Sequence, residues 1–239
     1  TFPDTWGKGL GGDNIIYLRE VEAFGRLLDK GETGGIWPLL ANAKVARPGA
    51  GWLAARRYLE EITRPVRLAL LTDAKPEGLI GPEGWISRAM REGSGGWAAH
   101  GVRLLSFSTA ESGERAVREL VGTMDTTPPD LLILAPSPGA DAAFVLSCRH
   151  LAEAAGKKGV SLLVCVPPPR AGSTAAEGEA YRKLRAELEA VAALGGAAVM
   201  DGGAALARAP DPNRLIGRDG AVGKGLDLLA KALAGLLYD

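Results

Sequence analysis

Residues 66–72 read VRLALLT, and four more runs of the same kind follow: VRLLSFS at 102–108, LLILAP at 131–136, VSLLVCV at 160–166 and AAVMD at 197–201. Near-continuous apolar runs of roughly four to eight residues mark strands covered on both faces, the habit of a parallel sheet, whereas a strand with one wet face alternates. After each run comes a stretch with helical spacing, around 82–92, 112–124, 141–157, 175–194 and 223–237. Parallel neighbours need a crossover of about a dozen residues or more, and every one of these stretches is long enough to supply a helix. Right-handed crossovers on one sheet then predict an α/β domain over residues 64–239, a three-layer α/β/α sandwich with a five-stranded parallel sheet.

Residues 1–63 lack this alternation and read as an N-terminal extension whose short helices pack on the main domain. Glycines crowd the stretch 7–12, which favours irregular chain. Two helical patterns follow. One is Leu18 to Leu28, apolar at Val21, Phe24, Leu27 and Leu28; the other is Trp52 to Ile62, apolar at Trp52, Leu53, Tyr58, Leu59 and Ile62. Trp6, Trp37 and Trp52 are expected to serve that packing.

Charge and composition narrow the partners. The chain has 28 basic and 28 acidic side chains, so it lacks the basic excess that would offset nucleic-acid phosphates or anionic lipid. No apolar run reaches the roughly 20 residues of a membrane span, so a soluble protein is expected, cytoplasmic or exported with its signal removed. Cys148 and Cys165 are too far apart for a metal or redox pair and read as buried thiols; with His100 and His150 the only histidines, no histidine-rich metal site is expected either. No cofactor is implied.

In a doubly wound sheet, ligands sit at the carboxyl ends of the strands. Those ends carry Thr72, Asp73, Ala74 and Lys75 after the first strand and Ser112 and Gly113 after the second. Ser137 to Asp141 follow the third, and Asp201 closes the fifth. In this order the blocks LLTDAKPEG (70–78), SPGAD (137–141) and RDGAVGKG (218–225) resemble those of the SGNH, or GDSL-type, hydrolases, a family of esterases, lipases and carbohydrate deacetylases, over about residues 64–239. The resemblance implies a flavodoxin-like sandwich with strand order 2-1-3-4-5. It also assigns family positions: Asp73 with Ala74 in place of the serine nucleophile, Gly113 as the second-block glycine, Ala140 in place of the oxyanion asparagine before Asp141, and Asp219 with Val222 in place of the histidine. Ala74, Gly113, Ala140 and Val222 are then expected around one shallow depression.

Acyl transfer needs a hydroxyl nucleophile, a base for its proton and donors for the oxyanion, and Ala74, Val222 and Ala140 supply none of these through their side chains. The resemblance therefore implies a catalytically degenerate domain that binds a ligand (a glycan or acyl group) or a protein. Ligand-binding candidates are Thr72, Asp73, Lys75, Ser112, Gly113, Ser137, Asp141 and Lys224. Two alternatives stay open: an active esterase or deacetylase with an atypical or mutated position 74, and a phosphate- or nucleotide-binding domain. Asp73, Asp141, Asp201 and Asp219 can be read as a Mg2+ cluster, but Asp is also the usual cap or turn residue after a strand. The glycine-rich stretch 217–225 departs from a phosphate loop because its spacing differs and no Ser or Thr follows Lys224. It reads as a loop leading into the last helix.

Overall fold

In the computed structural model, described over residues 36–75, 77–92, 100–109, 113–171, 175–217 and 220–238, the first apolar run forms strand β2, Val66–Thr72. Its residues go alternately to two cores: Val66, Leu68 and Leu70 to one, Ala69 and Leu71 to the other. The remaining runs give β3 (Val102–Thr109), β4 (Leu131–Leu134), β5 (Ser161–Val166) and β6 (Ala198–Asp201). Both faces of the central strands are closed. Leu131, Leu132, Ile133 and Leu134 have no exposed surface, and each buried side chain of this size contributes about 1.5–3 kcal/mol by leaving water.

With a short strand β1 at Ala46–Arg47, the sheet among the described residues has six strands, not five, in the order β1-β6-β5-β4-β2-β3, and it is not wholly parallel. β3, β2, β4, β5 and β6 pair in parallel, and β1 (Ala46–Arg47) lies antiparallel to β6, with Ala46 opposite Met200 and Arg47 opposite Val199. Two residues are too few for a periodic signal, which is why this strand has no counterpart in the sequence reading. Tertiary contacts hold it instead. Asp201 donates its amide to the Val45 carbonyl at 2.7 Å, and a Cβ at Gly49 would lie 2.1 Å from the Gly196 carbonyl oxygen, so the chain can pass there only as glycine.

Helices cover both faces. On one lie α1 (Trp37–Ala41), α2 (Trp52–Glu61), α4 (Trp85–Glu92) and α9 (Lys224–Tyr238), after the short α3 (Glu77–Ile80). They contribute Trp37, Leu59, Ile86 and Leu233 to the first core. On the other lie α5 (Gly113–Thr126), α6 (Ala142–Lys158) and α7 (Ala175–Gly195), with Leu120, Leu151 and Leu188 in the second core. Trp52 is 3% exposed and donates its indole N–H to the Leu236 carbonyl at 3.0 Å, tying α2 to the end of α9. Trp37 donates to Asn213 Oδ1 at 2.7 Å. The helical pattern at 18–28 and Trp6 lie outside the described residues. No helix among the described residues is long and apolar enough to cross a membrane.

The glycine-rich stretch has a structural explanation. Residues Ile216–Gly217 and Gly220–Ala221 form a small antiparallel ladder, β7 and β8. Gly220 and Gly223 take φ values of 132° and 50°, which side chains with a Cβ rarely adopt. A Cβ at Gly225 would lie 2.4 Å from the Leu215 carbonyl oxygen. The glycines let the chain turn tightly and enter α9 against its own preceding segment.

Candidate functional site

The winding reverses between β2 and β4: β3 lies outside β2 on one side, and β4, β5 and β6 follow on the other. Strand ends diverge at such a point and leave a crevice. Here the crevice is a cavity of about 380 Å³ on the α4/α9 side of the sheet, floored by Ala135, Cys165 and Met200 and walled by Leu79, Trp85 and Leu229. Ala74 and Lys75 reach it from the end of β2, Ser137 from the end of β4 and Val222 from the turn before α9.

Ala74 and Val222 thus share one cavity, while Ala140 does not join them: it packs against the core on the other face. The expectation of a single depression holding all four positions fails there. The physical reason is the Asp141 cap. Its Oδ1 accepts the Phe144 amide at 2.8 Å to start α6, and that helix belongs to the opposite layer and carries Ala140 with it. Asp73 also lines the far side, where it shares a small cavity of about 160 Å³ with Gly139, Asp141 and Ser147. Gly113 opens α5, Lys224 is the exposed first residue of α9, and Ser112 and Asp219 lie outside the described residues.

The polar groups at the strand ends satisfy one another. The Ser137 hydroxyl donates to Asp73 Oδ2 at 2.6 Å, and the Ser137 amide donates to Asp73 Oδ1. Ser137 Oγ in turn accepts the Gly139 amide at 3.2 Å. Thr72, with no exposed surface, uses its Oγ1 to accept the Ala74 amide at 2.9 Å. The Ala74 amide is therefore already engaged. The Ala140 amide is directed to the Ser137 carbonyl at 3.2 Å.

Candidate bases are remote. His100 stands exposed immediately before β3, at the amino end of the sheet, and His150 is exposed on α6 in the opposite layer. Cys165 borders the cavity, but burial pushes its thiol far above the ordinary value, as it does for Cys148, where nearby Asp73 adds to the effect. Neither supplies thiolate at neutral pH.

Of the described aspartates, Asp73 and Asp141 border the same small cavity and Asp201 stands apart from them. Asp201, fully buried, caps the short helix α8 (Gly202–Ala207) through the Ala204 amide at 2.9 Å and forms an ion pair with Arg185 at 2.8 Å. Asp141 is the α6 cap. Among the described residues no group of three or more His, Cys, Asp or Glu side chains is placed to hold a metal ion. One structural group escaped the sequence reading altogether. Asp130, before β4, accepts hydrogen bonds from Arg64, Arg67 and Tyr58 at the opposite end of the sheet. Only its charge surrounded by arginines distant in sequence hints at it, and that is visible only once β2 and β4 are adjacent.

Comparison with family models and with curated proteins gives no match to this chain.

Proposed function

We propose that the chain is a catalytically degenerate domain of the SGNH type, with flavodoxin-like winding, that binds a ligand at the carboxyl edge of its sheet and does not cleave esters. One observation carries the reading. Ala74 and Val222, which stand at the positions of the family's nucleophile and base, border the same cavity at the reversal point of the winding. An inert methyl and an isopropyl group facing a preserved crevice are what remains when binding is kept and chemistry is lost. The engaged Ala74 amide supports the same reading, since the donor that would stabilise an oxyanion is turned to Thr72.

The test is hydrolysis of p-nitrophenyl acetate and p-nitrophenyl decanoate by the purified chain. No turnover above the buffer rate is expected. A rate on the order of 1 per second or more, typical of working enzymes, would overturn the proposal in favour of an esterase with an atypical active set.

A further inference from the structure

The cavity's wall carries more information than its position. We infer that it takes a linear apolar chain ending in a carboxylate, the chain lying along the wall and the carboxylate at the mouth beside Lys75; this rests on the binding reading above and narrows it to one ligand class.

The wall is short of hydrogen-bond donors for a covalent reason. Two of the strand ends that form it continue as Pro136-Ser137-Pro138 and Pro167-Pro168, and proline has no amide N–H. Carboxyl edges of parallel sheets ordinarily offer free amides to phosphates and sugars; here four of those positions offer none. Several of the polar groups that remain are occupied. Ser137 is committed to Asp73 and Gly139, the Ala74 amide to Thr72 and the Val222 amide to the Leu215 carbonyl at 2.9 Å. The Pro167 carbonyl accepts the Tyr181 hydroxyl at 3.0 Å. A sugar placed here would leave several hydroxyls without partners, at about 1–3 kcal/mol each. The four proline positions can contribute nothing to a cradle of amides for a nucleotide's phosphates. An alkyl chain asks for none of these.

Charge completes the argument. Among the described residues lining the cavity Lys75 is the one ionised side chain, and no carboxylate lines it, because Asp73 and Asp141 face the other side of the sheet. Lys75 is exposed and borders the cavity, so it meets the cavity from the solvent side. At about 380 Å³ the cavity falls within the range of roughly 300–1,000 Å³ common for small-molecule sites, enough for an alkyl chain of medium length.

The experiment is titration calorimetry on the full chain with decanoate, decanol and maltose at low salt. Decanoate is expected to bind one to one, about two- to fivefold more tightly than decanol, the modest margin reflecting an exposed ammonium. Lys75→Glu should remove that margin and leave decanol unchanged; Val222→Trp, at a position 46% exposed and so tolerant of a larger side chain, should weaken both. Maltose binding in place of decanoate, no decanoate binding, or a margin that survives Lys75→Glu would each overturn the assignment. The two failures are separable: ester turnover removes the binding reading itself, whereas a non-hydrolysing chain that ignores decanoate removes only this ligand class.

Discussion

Ser137 hands both its amide and its hydroxyl to the carboxylate of Asp73, so the ends of β2 and β4, 64 residues apart in sequence, are tied together at the point where the winding reverses. This clamp fixes the ends of β2 and β4 relative to each other beside the crevice. Replacing Ser137 with alanine keeps the amide bond but leaves Asp73 Oδ2 without its donor, a half-buried charged acceptor. We expect Ser137→Ala to lose about 1–3 kcal/mol in urea unfolding, with the slope against denaturant unchanged. Ser137→Thr keeps the hydroxyl and should lose less; equal losses would remove the hydrogen bond as the cause.

On the proposed reading, a hydroxyl placed at position 74 should not by itself produce chemistry. In an Ala74→Ser variant the hydroxyl finds no histidine or carboxylate among the described residues lining the cavity, and general-base assistance is typically worth about a hundred- to ten-thousand-fold. The amide at position 74 still points to Thr72, and a lost oxyanion donor costs about a further hundred- to thousand-fold. The expected result with p-nitrophenyl acetate is a rate indistinguishable from that of the parent chain. Turnover on the order of 1 per second would reveal a base among the residues outside the described set.

The five long strands were legible because VRLALLT and its successors are apolar on both faces, and the caps Asp141 and Asp201 because aspartate after a strand is the common way to begin a helix. What the sequence hid is tertiary. β1 is two residues held by the Val45 carbonyl and by the glycine-only passage at Gly49, and no local pattern encodes either. The side of the sheet to which each strand-end residue turns was also hidden: Ala74 and Asp73 are neighbours in sequence yet border different cavities, because adjacent residues leaving a strand point to opposite faces.

The aspartates make a second expectation about ligands. Asp73 holds Ser137, Asp141 caps a helix through Oδ1, and Asp201 is divided between a cap and Arg185, so binding Mg2+ would compete with these contacts. Millimolar Mg2+ should leave the melting temperature within about a degree of its value in EDTA, since a ligand stabilises only in proportion to its affinity for the folded state. A rise of several degrees would point to carboxylates acting together.

The thiols should be silent in the native protein. Cys148 is fully buried in the α6 layer and Cys165 is 3% exposed, and desolvation holds both protonated. Ellman's reagent at pH 8 should report none within minutes under native conditions and two in denaturant, as both are free. One fast-reacting thiol in the folded chain would mean that the cavity beside Cys165 opens far enough to admit the reagent.

The most heavily engaged charge lies at the other end of the sheet. Burial of Asp130, whose side chain is 1% exposed, would by itself raise its pKa; hydrogen bonds from Arg64 and Arg67, the Arg67 amide at 2.8 Å and the Tyr58 hydroxyl at 2.9 Å outweigh that and hold it well below the ordinary carboxylate range. A carboxylate whose folded pKa is depressed stabilises the fold fully above its unfolded value of about 4, and that stability drains away as pH falls toward the folded value. Asp130→Asn keeps the shape but removes the charge, leaving Arg64 and Arg67 without their anion where α2 meets β2 and β4. It should lose about 1.5–3 kcal/mol at pH 7, the scale of hydrogen bonds to a charged group, because the arginines left behind are partly exposed and return to water. Between pH 5 and pH 2 the parent should lose stability steeply and the variant less so, so that the two unfolding free energies draw together as acid is added. Parallel curves over that range would show that Asp130 titrates like an ordinary exposed aspartate and that the arginines are not what depresses it.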